Sequence, residues 1–362
     1  MNHEAQATCS IVKAAGFLAY LFITLEMLFM VTPFALYYYA AYRPLLAGTF
    51  SNPATTWLPA FFLPHLSMEI FPNIGGLVFL LGLAGFGLSA FQLYFAKFRR
   101  RGIVDTWFYK RIRHPQYTFL AIAGLGLLLV WPRFILLVIY VNTLWFYYLL
   151  ARSEERRMEA RFGEAYRAQE RRTWMFLPRE PGGFLQRRLF GWIHLRKASL
   201  AVTYIFSLIV AIGAAFLLRL LSLSATSHTI LGAEKIAAIS FVAVPEPDLR
   251  DMATSAATTE ELQPKKAEKR WILVQVMQGK ASVVHAMMDA GMTHRQAGDL
   301  DLAKDGMKFV ISQQEGGFAE QPFGTRMRWQ PALIVEINEH KVSNIIALER
   351  AWFSGNPVMP LF

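Results

Sequence analysis

The sequence predicts a mainly α protein: a polytopic membrane helical bundle of about five transmembrane helices, including one short hairpin, with a small C-terminal α+β soluble domain. Three observations predict it. Mean hydropathy is +0.30 and 54% of the 362 residues are hydrophobic, arranged in long blocks. Basic residues crowd beside those blocks: residues 1–227 hold 23 Lys+Arg against 10 Asp+Glu, a net of +13, while 228–362 hold 14 against 16, a net of −2. From residue 235 the pattern turns to short alternating β and α stretches. The expected domains are 1–227, embedded in the membrane with a motif-rich core over 92–178, and 228–362, outside it.

The elements follow in order. Runs of about 18 or more apolar residues are span candidates; 11–39, 74–95 and 200–223 qualify. The first is too long for a signal-peptide core and lacks a charged leader. Residues 51–71, with Pro53, Pro59 and Pro64, read as an interfacial loop. Two shorter apolar arms, 117–130 and 134–150, flank Trp131-Pro132-Arg133 and form the hairpin. Residues 152–172 read as an amphipathic surface helix, and 222–235 as a linker. Beyond it, strands are expected at 236–244, 271–277 and 308–312, helices at 248–262 and 281–290, and a β-hairpin at 332–338 and 341–348. This order suggests a ferredoxin-like domain.

Charge orients the chain. Seven basic residues lie between Lys97 and Arg113 and twelve between Arg152 and Lys197, but 41–72 contains only Arg43. Basic excess marks the cytoplasmic side. The expected location is a bacterial inner membrane, with a cytoplasmic N-terminus and a periplasmic C-terminal domain. Charge that hugs the bilayer points to membrane topology and anionic lipid, not to nucleic acid. A single cysteine, Cys9, excludes an internal disulfide. His285 and His294 lack metal-ligand spacing, and no metal is expected.

The chemistry-bearing residues sit at the two open ends of the hairpin. Arg113-His114-Pro115-Gln116-Tyr117 enters it; Glu154-Glu155 and Arg161-Phe162-Gly163-Glu164-Ala165-Tyr166 leave it. A hairpin returns its ends to one place, so His114 and Glu154 should meet. Pro115 suits a first helical turn, whose free N–H groups attract anions. Gly124 and Gly126, two turns on, permit close approach of a helix or a ligand. Glu154 and Glu155 can accept hydrogen bonds from a diol or an amine. Singly, these residues read as interfacial anchor, helix packing and surface ion pairs; their joint spacing is the signal.

The stretch 109–178 resembles the isoprenylcysteine carboxyl methyltransferases and their relatives, the phospholipid N-methyltransferases. The resemblance rests on Tyr109, Arg113-His114-Pro115-Gln116-Tyr117, Gly126, Trp131-Pro132, Glu154-Glu155, Phe162-Gly163, Tyr166 and Pro178. It implies S-adenosyl-L-methionine as cofactor, at a site drawn from Tyr109, Arg113, His114, Tyr117, Gly124, Gly126, Glu154, Glu155 and Tyr166. It also implies a lipophilic or membrane-associated acceptor: a carboxylate, amine or thiol. Arg167, Arg171 and Arg172 are candidates to hold a substrate carboxylate, and Glu26 is a candidate as an acid inside a span. Two positions depart from the family pattern, which carries glycine where this chain has Trp107 and Phe119. Two further readings stand beside this one. One is an NADPH-dependent reductase of the sterol-reductase type. The other is a non-catalytic membrane-anchored assembly protein, whose C-terminal domain would bind a protein partner.

Overall fold

The computed structural model describes residues 54–63, 70–99, 103–177, 186, 188–193, 195–240, 242–257, 270–316, 322–325, 327–338 and 341–353. The expected first span, Glu26, Cys9, Pro178, Arg326 and His340 lie outside them. The described chain is mostly helical, with three helices long and apolar enough to cross a membrane and a small sheet domain. It divides into two compact units. One holds the described parts of 70–131 and 136–213; the other holds 54–63, 132–135 and the described parts of 214–353.

In the first unit, α1 (Ile70–Phe98) packs along α2 (Pro115–Val130). The contact is backbone on backbone. A Cβ at Gly75 would lie 2.6 Å from the Gly126 carbonyl oxygen, and one at Gly82 would lie 2.8 Å from that of Phe119. With 16 residues, α2 is about 24 Å long, short of the roughly 30 Å hydrocarbon layer. The return arm, α3, runs Phe134–Phe162 without a break at Leu150. This corrects the expected surface helix at 152–172: the polar residues 152–162 continue α3, and only Glu164–Arg172 forms a separate α4. Gly163 divides them at φ +53°, ψ −124°, a conformation that a side chain resists. Helix α5 spans Arg196–Ala225. It meets α3 through hydrogen bonds from Tyr204 Oη to Asn142 Oδ1 (2.8 Å) and from Trp145 Nε1 to Ser207 Oγ (2.9 Å).

The second unit carries a six-stranded sheet in sequential order: β1 (Ser227–Leu231), β2 (Ile236–Ser240), β3 (Ile272–Gln278), β4 (Met307–Gly316), β5 (Arg328–Asn338) and β6 (Lys341–Ala347). Only β2 and β3 are parallel, joined through α6 (Glu246–Ala257); β3 and β4 are joined through α7 (Gly279–Asp289) and a short α8 (His294–Gly298). The sequential order excludes the ferredoxin-like arrangement, in which strands interleave. The expected linker 222–235 is also corrected: α5 continues to Ala225 and β1 follows directly. The polar Ser227-His228-Thr229 opening hid that strand, which pairs with β2. Leu249 and Ala253 of α6 bury against Ile236, Val274, Phe309 and Val335. On β4 and β5, Lys308 Nζ lies 3.1 Å from Glu336 Oε1, both buried. In this unit Arg219 also donates to the backbone carbonyls of Phe61 and Phe323, and Arg133 to that of Pro59.

Candidate functional site

The local chain path builds a polar cluster at the open end of the hairpin. Residues 111–114 run beside 174–175, with Trp174 N–H donating to Arg111 O (3.0 Å), Arg113 N–H to Trp174 O (2.8 Å) and His114 N–H to Met175 O (3.1 Å). Thr118 Oγ1 donates to Phe176 O (3.1 Å). The segment after α4 is thereby stitched to the start of α2. Pro115 begins α2, with His114 as its N-cap residue.

His114 and the two glutamates meet there. His114 Nδ1 is 3.5 Å from Glu154 Oε2, and its Nε2 is 3.7 Å from Glu155 Oε1. Tyr117 Oη donates to Glu154 Oε1 at 2.7 Å. Arg113 Nε donates to Glu155 Oε1 at 2.7 Å, and Arg152 Nη1 to Glu155 Oε2 at 3.2 Å. Arg113 Nη1 also donates to the carbonyls of Glu170 and Thr173. So Arg113 and Glu155, both buried, hold each other and the end of α4. Glu154 retains 30% side-chain exposure.

Burial opposes charge on His114, but the two carboxylates outweigh it and raise its pKa above the ordinary value of 6.5. His114 Nε2 is buried without a hydrogen-bond partner. Burial and then the nearby carboxylates push the phenols of Tyr109 and Tyr166 up. Both tyrosines are buried, and Tyr109 donates to the Ser89 carbonyl.

A cavity of about 750 Å³ adjoins the cluster. Arg113, Tyr117, Arg152, Glu170 and Gln186 supply polar lining; Ile122, Leu125, Leu144, Trp145, Phe176 and Leu200 are part of its apolar wall. His114, Tyr117 and Tyr147 stack in succession, with ring centroids 5.8 and 5.4 Å apart. This column runs from the cluster to the cavity wall. A volume of this size suits a cofactor or a drug-sized ligand.

Other sequence candidates fall elsewhere. Arg167 pairs with Glu159 of α3 and Glu164 of α4, and Arg171 with Glu164, all exposed; neither arginine lines the cavity. Gly126 faces α1, where a Cβ would lie 2.8 Å from Phe79 Cα. Gly124 is buried in α2 and also lies off the cavity lining. Phe119 packs on Gly85 and edge-on to Phe108, on the α1 side, so it takes no room from the cavity. Trp107 has φ +47° and is 72% exposed. The backbone there lies in the left-handed region that glycine adopts most readily, and the side chain is turned out to the surface. Sequence reasoning missed Arg152, Glu170, Tyr140, Trp145 and Tyr147 on the cavity wall. Among the described residues there is no group of three or more His, Cys, Asp or Glu able to hold a metal.

Comparison with protein-family models, curated proteins and solved structures found no match.

Proposed function

We propose that this chain is an integral membrane methyltransferase that uses S-adenosyl-L-methionine and acts on a lipophilic or membrane-associated acceptor. The observation that carries the reading is the meeting of His114 with Glu154 and Glu155, residues about forty positions apart, beside a largely apolar cavity of about 750 Å³. The residues fit the cofactor. Glu154 offers a partly exposed carboxylate, and His114 Nε2 is a buried polar atom without a hydrogen bond. His114, Tyr117 and Glu154 would contact the cofactor, while Arg113 and Glu155 fix their positions. When bound, the sulfonium supplies an electrophilic methyl group. The chain's part is to hold an acceptor in line with it and to exclude water, for which an apolar cavity is suited. Basic excess beside the spans supports five spans in a bacterial inner membrane, with the N-terminus cytoplasmic and the sheet domain periplasmic. That domain would meet any protein partner.

The test is titration of the full chain in detergent with S-adenosylhomocysteine. The expected result is saturable binding, lost in His114→Ala and Glu154→Ala and retained in Arg167→Ala, with native circular dichroism throughout. Saturable binding of NADPH alone would replace this reading with the reductase. Binding of neither would favour the assembly protein.

A further inference from the structure

The cavity touches the polar cluster mainly through satisfied groups. Arg113 is committed to Glu155 and two carbonyls, and Arg152 also binds Glu155. Thr118 donates to a backbone carbonyl, as does Tyr140, while Trp145 donates to Ser207 Oγ. None of these last three links leads to a titratable group. Glu170 lines the cavity but is exposed to water. Tyr117 differs. It lines the cavity, its hydroxyl donates to Glu154 at 2.7 Å, and Glu154 lies off the lining with 30% of its side chain exposed. A largely apolar wall is thus joined to a partly exposed carboxylate by one hydrogen bond.

We propose that Tyr117 and Glu154 form a proton relay out of the cavity, so that the acceptor is a protic nucleophile (an amine, thiol or hydroxyl) rather than a carboxylate. The inference rests on the methyltransferase reading of the same site. As the new bond to carbon forms, the methyl carbon's bond to sulfur breaks and its electron pair leaves with the thioether. The acceptor's proton passes to Tyr117 Oη while the Tyr117 hydroxyl proton passes to Glu154 Oε1. Glu154 then releases its proton at its exposed side. The transfers carry the sulfonium's positive charge out of the cavity as a proton, leaving the thioether sulfur and the methylated acceptor neutral, and no arginine has to leave Glu155 to bind a carboxylate. Tyr117 is the group that meets the acceptor.

The test needs no methyl donor. The full chain in detergent is mixed in stopped flow with dodecylamine, a protic probe, and proton release is followed with a pH-indicator dye against protein-free micelles. Dodecyltrimethylammonium, which has no transferable proton, is the control. The wild type is expected to release a proton with the amine and none with the control. Tyr117→Phe should slow that release about tenfold or more without changing its amplitude, because the endpoint is set by equilibrium and only the path is lost. Glu154→Gln should slow it similarly. An unchanged rate in Tyr117→Phe, or no release in the wild type, overturns the relay. S-adenosylhomocysteine binding is measured on the same samples. Its absence sinks the methyltransferase reading while the release rates still decide the relay, so the two failures are distinguishable.

Discussion

Glu154 and Glu155 favour charge on His114 against its own burial, and the sign of its pH dependence follows. The folded-state pKa lies above 6.5 because burial, which lowers it, is outweighed by Glu154 and Glu155, which face the ring from α3. A raised pKa means that the histidine contributes its full stability below the unfolded value and loses it as pH rises through the folded one. The thermal midpoint of the full chain in detergent should therefore fall across the pH range just above 6.5, and His114→Gln should flatten that slope. An equal slope in the variant would remove the histidine from the account. Gly163 is a second single-residue determinant. At φ +53°, ψ −124° a side chain costs on the order of 1–3 kcal/mol. Gly163→Ala should lower unfolding free energy by about that amount, and should loosen α4 from the Arg113 bonds to Glu170 and Thr173. Faster amide exchange over 164–173 is the measurement.

At the scale of elements, legibility tracked periodicity. The spans at 74–95 and 200–223 and the strands at 236–244, 271–277 and 308–312 were readable because apolar run length or alternation marks them, and each corresponds to an element within a few residues. β1 was not, because its pairing with β2 overrides a polar sequence. The site was half legible. His114, Tyr117 and Glu154 stand out as polar residues at the ends of apolar arms. Tyr140, Trp145 and Tyr147 do not, because inside an apolar helix the residues that face a cavity and those that face lipid look alike. The Gly126 contact could have been read either way, and packing decides it. The α1–α2 seam leaves no space for a methyl group: Gly126 Cβ would lie 2.5 Å from the Gly75 carbonyl oxygen. Gly126→Ala is expected to destabilise by roughly 1–3 kcal/mol through overpacking. An unchanged melting midpoint would show that the seam can open without cost. The Lys308–Glu336 pair was invisible to sequence for a different reason: register alone places the two residues opposite each other on β4 and β5. Removing one partner strands a buried charge, at about 3–5 kcal/mol. Lys308→Met should speed exchange of the β4 and β5 amides, and Lys308→Met with Glu336→Leu should recover part of the loss.

At the scale of the whole molecule, the distribution of charge and the chemistry of the site impose one shared condition. S-adenosylmethionine is made in the cytoplasm, so the proposed site works only if the open end of the hairpin faces inward. The basic residues lie where that requires: seven from Lys97 to Arg113, twelve from Arg152 to Lys197 and one across 41–72. Moving such a cluster outward works against the orientation bias that short basic loops impose. Under the proposed orientation the same bias would carry the sheet domain outward, because α5 leads directly into β1. Two exposed positions report the two sides: Ala160 near the end of α3 and Ala281 in α7. In a Cys9→Ser background, Ala281→Cys should react with an impermeant maleimide once the outer membrane is opened. Ala160→Cys should react only after the inner membrane is also permeabilised. The reverse pattern would put the cluster on the side without cofactor. That would refute the methyltransferase reading while leaving the local geometry of His114, Glu154 and Glu155 untouched, because that geometry depends on the hairpin and not on which way the hairpin points.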